Sequence, residues 1–282
     1  MAELQVETGK AYSWSVPGIP GIECFRAEAI LHSYGRHSHP TYALGVIEEG
    51  IGGNEYRGAI HRIPSGSLVV MNPDEVHTGY AADHQALSYR MFYIETEVFS
   101  QLFPVQAKVP FFSGACIHDS AQATRLRQLH SLLETSAETL EQQTLAAQIL
   151  ADFTQIYGAP GVPEPARPEP QLVACVKEFL HAQFERNVSI EELAQLTQRN
   201  QSYLIRAFQR EVGLPPHVYL VQLRIEQAKK LLAQGRQAAQ VALEVGFADQ
   251  SHFTRHFKRV VGLTPSQYAR GHFHSRQATP LT

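Results

Sequence analysis

The hydrophobic pattern changes character twice along the chain. From about residue 20 to 112, apolar residues come in short β-rich runs: "TYALGVIEEG", "GSLVVMNP" and "LSYRMFYIE". Gly, Pro and Asn-Glu turns separate them, which predicts a series of short strands. From about 119 to 157 glycine disappears, and Leu, Ala, Gln and Glu take over. Leu126, Leu129, Leu133 and Leu140 fall near helical spacing, as do Leu145, Ile149 and Phe153. The spacing predicts two helices, or one interrupted near Glu138. Their apolar stripes would cap the strands, meet a partner chain, or both. The segment "GAPGVPEPARPEP" (Gly158 to Pro170) carries prolines that exclude helix and favour a semi-rigid extended spacer. Beyond it the pattern is helical.

The helical half contains an internal repeat. "NQSYLIRAFQREVGLPPHVY" (Asn200 to Tyr219) aligns with "DQSHFTRHFKRVVGLTPSQY" (Asp249 to Tyr268) at a constant offset of 49. Matches include Ser202/Ser251, Arg206/Arg255, Phe208/Phe257, Arg210/Arg259, Val212/Val261, Gly213/Gly262, Leu214/Leu263, Pro216/Pro265 and Tyr219/Tyr268. Upstream, Leu193-Ala194 aligns with Val241-Ala242 at offset 48. Each unit reads as helix, turn, helix. Ser189 and Glu192 predict a capping box for the first short helix. Asn200 and Asp249 predict N-caps for the second helices, and Gly213 and Gly262, each followed by proline, predict their ends. Gly246 predicts the turn in the second unit.

Within each second helix, Leu204 and Phe208, or Phe253 and Phe257, lie at i, i+4 and pack inward. Another face carries Ser202, Ile205, Arg206 and Gln209 in one unit and Ser251, Thr254, Arg255 and Lys258 in the other. Such side chains contact base edges and phosphates in a major groove. Between the units, "PHVYLVQLRIEQAKKLLAQG" reads as one helix with Leu220, Leu223, Ala228, Leu231 and Leu232 on its apolar stripe. About eighteen residues at about 1.5 Å rise span roughly 27 Å. That strut suits two recognition helices about one DNA turn, roughly 34 Å, apart.

"VALEVGFADQSHFTRHFKRVVGLTPSQYAR" resembles the signature of the AraC/XylS family of bacterial transcription regulators, through Ala242, Gly246-Phe247, Ser251, Phe253, Phe257-Lys258, Gly262, Thr264-Pro265 and Tyr268. The first unit is similar through Leu193-Ala194, Leu204, Phe208, Gly213, Arg224, Ala228 and Leu231-Leu232. The resemblance covers about residues 172–271. It implies two recognition helices in successive major grooves. By position, it makes Ser202, Ile205, Arg206, Gln250, Ser251, Thr254 and Arg255 base-facing. Gln201, Gln209, Arg210, Lys258 and Arg259 then face phosphates or the groove edge. Ile205 departs from the pattern, being apolar where a polar reader often sits.

Charge supports this division. Residues 1–170 hold 10 Lys+Arg and 19 Asp+Glu, and 10 − 19 = −9. Residues 171–282 hold 14 and 8, and 14 − 8 = +6. A basic half suits a polyanion, because neutralised phosphates release counterions. The overall charge of −3 conceals the asymmetry. Cys24, Cys116 and Cys175 show neither metal-type spacing nor a disulfide framework. With no secretory signal and no run long enough to span a membrane, the chain is expected in the cytoplasm.

In the first half, "YGRHSHPTYALGVIEEG" offers His37 and His39, two apart and so on one face of a strand. "IPSGSLVVMNPDEVH" offers His77 and resembles the second half of a cupin motif, as found in the ligand-binding domain of the same regulators. Three readings stay open for His37, His39 and His77. They bind a divalent metal such as zinc, line an organic effector pocket, or are satisfied structural histidines. A metal-dependent cupin usually adds a Glu three or four residues past the second His. Here Ala43 and Leu44 stand there, and Glu48 and Glu49 lie beyond a predicted turn. Tyr34, Arg36 and Tyr42 are further candidates for an effector pocket.

The expected fold is α+β and multidomain. Residues 1–157 form a cupin-like β-barrel with following helices, an effector-sensing and dimerisation domain. Residues 158–170 form the Pro-rich linker. Residues 171–276 form an all-α domain of two helix-turn-helix units joined by a long helix. The expected function is a non-enzymatic transcription regulator controlled by a small-molecule effector, with activator and repressor both open. Its expected partners are promoter DNA, the effector, a second copy of the chain and, if it activates, RNA polymerase, with no membrane. A cupin enzyme carrying a DNA-binding tail is the rival from another class, and an effector-independent architectural DNA binder is a second.

Overall fold

A computed structural model describes residues 9–16, 19–102, 110–135, 139–160 and 169–276. The chain divides into two compact units, Met1–Val162 with Gly271–Thr282, and Pro163–Arg270.

The first unit is built from β1 (Lys10–Ser15), β2 (Ile22–Ile30), β3 (Tyr34–His37), β4 (Tyr42–Glu49), β5 (Ile51–Tyr56), β6 (Ala59–Pro64), β7 (Leu68–Met71), β8 (His77–Ala81) and β9 (Leu87–Ile94). Then come α1 (Thr96–Leu102), β10 (Pro110–Phe112), β11 (Cys116–Ile117), α2 (Ser120–Thr135), α3 (Thr139–Tyr157) and β12 (Gly158–Pro160). One antiparallel sheet has the order β1-β2-β9-β4-β7-β11, and a second has the order β3-β8-β5-β6.

The larger sheet is buried on both faces, and β4 therefore reads as a continuous apolar run rather than an alternating one. Tyr42, Leu44, Val46, Leu68, Val70, Phe92 and Ile94 join Leu126, Leu129, Leu133, Ile149, Leu150 and Phe153 of α2 and α3 in one core. Burial of the large apolar side chains, at roughly 1.5–3 kcal/mol each, holds this helical layer on the sheet. Capping the sheet is thus the role of the predicted stripe. Leu140 departs from it and is exposed. The opposite face turns Ala43, Ile47, Val69, Met71, Tyr89, Met91 and Tyr93 toward a cavity.

Four local expectations need correction. A strand at Lys10–Ser15 and a helix at Thr96–Leu102 were not expected. Asn54-Glu55 is not a turn but lies within β5. Glu48 and Glu49 do not lie beyond a turn but end β4, and Glu48 is held by Arg90 at 2.8 Å. Of the Pro-rich segment, Gly158–Pro160 pairs with β10 and Pro170 opens a helix at its first turn, where a missing N–H costs nothing. Residues 161–168 lie outside the described residues.

The second unit contains α4 (Pro170–Ala182), α5 (Ile190–Thr197), α6 (Gln201–Val212), α7 (Pro216–Ala233), α8 (Ala238–Glu244) and α9 (Gln250–Val261), with α10 (Pro265–Arg276) starting at its end. The predicted caps are present. Ser189 accepts from Glu192 N–H, Asn200 from Tyr203 N–H and Asp249 from His252 N–H. Gly213 and Gly262 close α6 and α9 in the left-handed region, at φ 80° and 82°. Gln198 occupies the turn position equivalent to Gly246 and is also left-handed, at φ 52° against 87°. The first turn therefore accepts some backbone strain that glycine relieves in the second.

The strut α7 has 18 residues and packs against α6, α8 and α9. Arg224 fastens it. Its guanidinium donates to the Phe184 and Arg186 carbonyls at 2.8 and 2.9 Å and lies over the Phe247 ring at 5.7 Å.

Candidate cavity and nucleic-acid interface

The two sheets of the first unit enclose a cavity with about 640 Å³ of empty volume, part of it open to solvent. Its wall is mostly apolar and aromatic, as small-ligand sites are. Tyr34, His37, His39 and His77 line it together with Asn54, Tyr80 and Tyr93. Tyr34 and Tyr89 share a hydroxyl–hydroxyl hydrogen bond of 3.0 Å, and burial pushes the Tyr34 phenol up to about 12.

His37 ends β3 and pairs with His77, the first residue of β8. His39 does not share the strand with His37, as the spacing predicted, but lies two residues past its end. The chain still returns it to the cluster. The His37–His77 and His39–His77 ring centroids are 4.4 and 4.9 Å apart, and one ligand-capable atom from each of the three rings falls within 4.8 Å of the others.

All three rings are held in the same way. Nδ1 lies 2.8 Å from a carbonyl two residues away: Gly35 for His37, Thr41 for His39 and Glu75 for His77. A carbonyl only accepts, so each Nδ1 carries a proton, and in the neutral ring the lone pair is on Nε2. Burial holds His37 below the ordinary imidazole range, and burial with the neighbouring imidazoles holds His77 well below it. This set of imidazoles, each oriented by a backbone acceptor, fits a divalent transition metal. It equally accepts hydrogen bonds from the donors of an organic ligand.

Two expected residues lie elsewhere. Tyr42 faces the helical layer, where its hydroxyl donates to the Pro110 carbonyl at 2.6 Å and its ring meets Phe99 and Phe112. Arg36 is exposed and pairs with Glu55 at 2.8 Å. Glu75 belongs to the motif but not to the cavity wall. Its carboxylate takes hydrogen bonds from Tyr56, Arg57 and Asn72 and anchors the β5–β6 turn. Strand parity explains Tyr42, since residues 42, 44 and 46 face one side of the larger sheet and Ala43 and Ile47 the other.

In the second unit, α6 and α9 each bury one stripe and expose the other. Leu204, Phe208, Phe253 and Phe257 are fully buried. Gln201, Ser202, Arg206, Gln209 and Arg210 are exposed on α6, as are Gln250, Ser251, Arg255, Lys258 and Arg259 on α9. Ile205 and Thr254 are half-buried at the edge of that face. Gln201 donates to Glu191 at 3.0 Å, so it braces the helix pair in addition to facing outward. Sequence reading missed the His252–His256 pair, whose Nε2 atoms lie 3.0 Å apart on α9, although its i, i+4 spacing was visible.

A ligand-sized cavity in a cupin-like barrel, followed by two helix-turn-helix units on a common strut, defines a one-component transcription regulator. Residues 19–150 match the AraC-like ligand binding domain family and residues 193–271 match a helix-turn-helix domain family. The chain is 31% identical over 238 residues to the HTH-type transcriptional regulator YbfI of Bacillus subtilis, covering 82% of this chain and 85% of that one. It is 24% identical over 252 residues to the transcriptional activator RhaS of Enterobacter sp., covering 85% and 88%. ToxT from Vibrio cholerae, solved bound to an unsaturated fatty acid, shares the fold with a TM-score of 0.55 at 14% identity, over 93% of this chain and 94% of that one. The chain belongs to the AraC family of HTH-type transcriptional regulators. Among the described residues no helix is long and apolar enough to cross a membrane.

Proposed function

We propose that α6 and α9 bind successive major-groove segments of promoter DNA and that a small molecule in the barrel cavity controls this binding. The observation that carries the DNA-binding assignment is the repeat itself. Arg206 and Arg255 stand at equivalent positions of equivalently capped helices, and both are exposed. An arginine so placed can reach guanine O6 and N7 with a bidentate fork. Ser202, Gln250, Ser251 and Thr254 supply shorter base contacts, and Ile205 suits a thymine methyl. Gln201, Gln209, Arg210, Lys258 and Arg259 hold phosphates. The effector acts by binding one arrangement of the protein more tightly than another. We read the chain as a cytoplasmic homodimer that contacts RNA polymerase where it activates, and not as an enzyme.

Protection footprinting upstream of the gene and its neighbours tests the reading. The expected result is paired protected segments about one helical turn apart, lost in the Arg206→Ala/Arg255→Ala protein. Equal protection by wild type and double variant would overturn the assignment.

A second reading concerns the barrel. The identical Nδ1 anchoring of His37, His39 and His77 favours a bound divalent metal, zinc by its preference for imidazole nitrogen. Such an ion would hold positive charge at one end of the cavity. With Ala43 and Leu44 where a fourth, carboxylate ligand would stand, the ion would keep a position open for an effector atom.

A further inference from the structure

Asn54 lines the cavity, and neither the strand pairing nor the histidine cluster uses its amide. It is 1% exposed, and among the described residues neither its amide oxygen nor its amide nitrogen has a hydrogen-bond partner. A buried amide left unsatisfied destabilises a fold, and native proteins rarely keep one without a use for it.

Its surroundings are shaped for a visitor. In the β5–β8 register, Gly53 faces Tyr80 and Tyr56 faces His77, which sets Asn54 opposite Gly79. On the far side of Gly79 stands Tyr34 of β3. The inward lattice therefore has a gap at Gly79, with Asn54 on one flank and Tyr34 on the other, one inward step from the His37–His77 pair. Gly79 has an ordinary backbone conformation, and a Cβ there would meet only the Tyr34 ring at 3.4 Å. The gap is thus not imposed by the backbone. The described lining contains no acid, lysine or arginine.

We propose that Asn54 is the recognition residue of the cavity and that the effector presents to it an uncharged edge with a donor and an acceptor side by side, a carboxamide or lactam, carried on a flat apolar body over Gly79. An amide edge satisfies both Asn54 atoms at once, and its body covers the Tyr34 and Ile63 surfaces that line the same space. A carboxylate would leave the Asn54 oxygen facing another acceptor. The requirement is independent of what the three imidazoles hold, because Asn54 lies on another strand. The inference rests on the cavity being the effector site.

The test uses the full chain. Benzamide and acetophenone have similar bodies, but only benzamide carries an N–H donor. Titration calorimetry should show benzamide binding wild type at least about tenfold more tightly, roughly the contribution of one satisfied hydrogen bond. Asn54→Leu should abolish that preference and raise the melting temperature of the free protein by on the order of 3 °C, because it removes the unsatisfied amide. Equal binding of the two probes by wild type, a preference that survives in Asn54→Leu, or a melting temperature at or below wild type would each overturn the role of Asn54. Gly79→Leu, which fills the gap, separates this failure from a broader one. If it blocks both probes while wild type does not distinguish them, the cavity stands as the sensing site and only Asn54 is removed. If neither probe binds wild type, or Gly79→Leu binds both as wild type does, the cavity reading falls and the inference with it.

Discussion

Lowering the pH should destabilise the barrel through His130, a residue of α2 with no exposed surface. Its Nε2–H donates to the Phe25 carbonyl at 3.1 Å, and its Nδ1 accepts from the Arg90 guanidinium at 3.1 Å. A proton on Nδ1 would oppose the guanidinium N–H and place two cations together. Burial first, and then Arg90, push the imidazole from 6.5 down to about 3. The folded value lies below the unfolded one, so the unfolded chain binds more protons between them. The stabilisation is present above about pH 6.5, is lost as the pH falls, and the loss levels off near 3. At about 1.4 kcal/mol per pH unit, the 1.5 units from pH 6.5 to pH 5 cost roughly 2 kcal/mol.

Trp14 is the only tryptophan, and its ring meets His130 edge-on with centroids 5.1 Å apart. Urea unfolding followed by its fluorescence therefore reports on this site. Between pH 7 and pH 5, wild type should lose about 2 kcal/mol more than His130→Gln, which keeps a donor and an acceptor but does not titrate. Other histidines contribute to both proteins and cancel in the difference. The same pH dependence in wild type and variant would refute the reasoning.

Arg206→Ala and Arg255→Ala should each weaken binding to a specific site by about 1–3 kcal/mol in an anisotropy titration, and a smaller, sequence-independent loss would reassign them to phosphates. Gly246→Ala should destabilise the helical unit in a far-ultraviolet melt, because the residue is held at φ 87° and a Cβ would lie 2.5 Å from the Glu185 carbonyl oxygen. His77→Ala should leave DNA affinity near wild type while blunting any effector response. If the metal reading holds, elemental analysis should find about one zinc per wild-type chain and much less in this variant.

The helical half was the more legible in the sequence because its signals are local. An N-cap such as Asn200 or Asp249 bonds a backbone N–H three residues away, and a C-cap glycine answers a carbonyl one turn back. Gln198 escaped notice because its left-handed conformation is imposed by the turn rather than signalled by residue type. The barrel was less legible because β pairing is long-range. His37 and His77 meet although forty positions and four strands separate them in sequence, and no local pattern states which side chains of β4 face the cavity. Tyr42 was misread for that reason, and Asn54 was lost in an apparent turn.

From sequence alone came the two-part organisation, the repeat, the caps, the basic recognition faces and the three candidate histidines, all features of residue type and short spacing. Only the tertiary structure decided which of the two faces of the larger sheet became core and which became cavity wall. It alone brought His39 back to His37 and His77, and left the Asn54 amide buried without a partner among the described residues. The reason is physical. A strand's period of two says that its residues divide between two faces, but the elements packed on each face determine what those faces become.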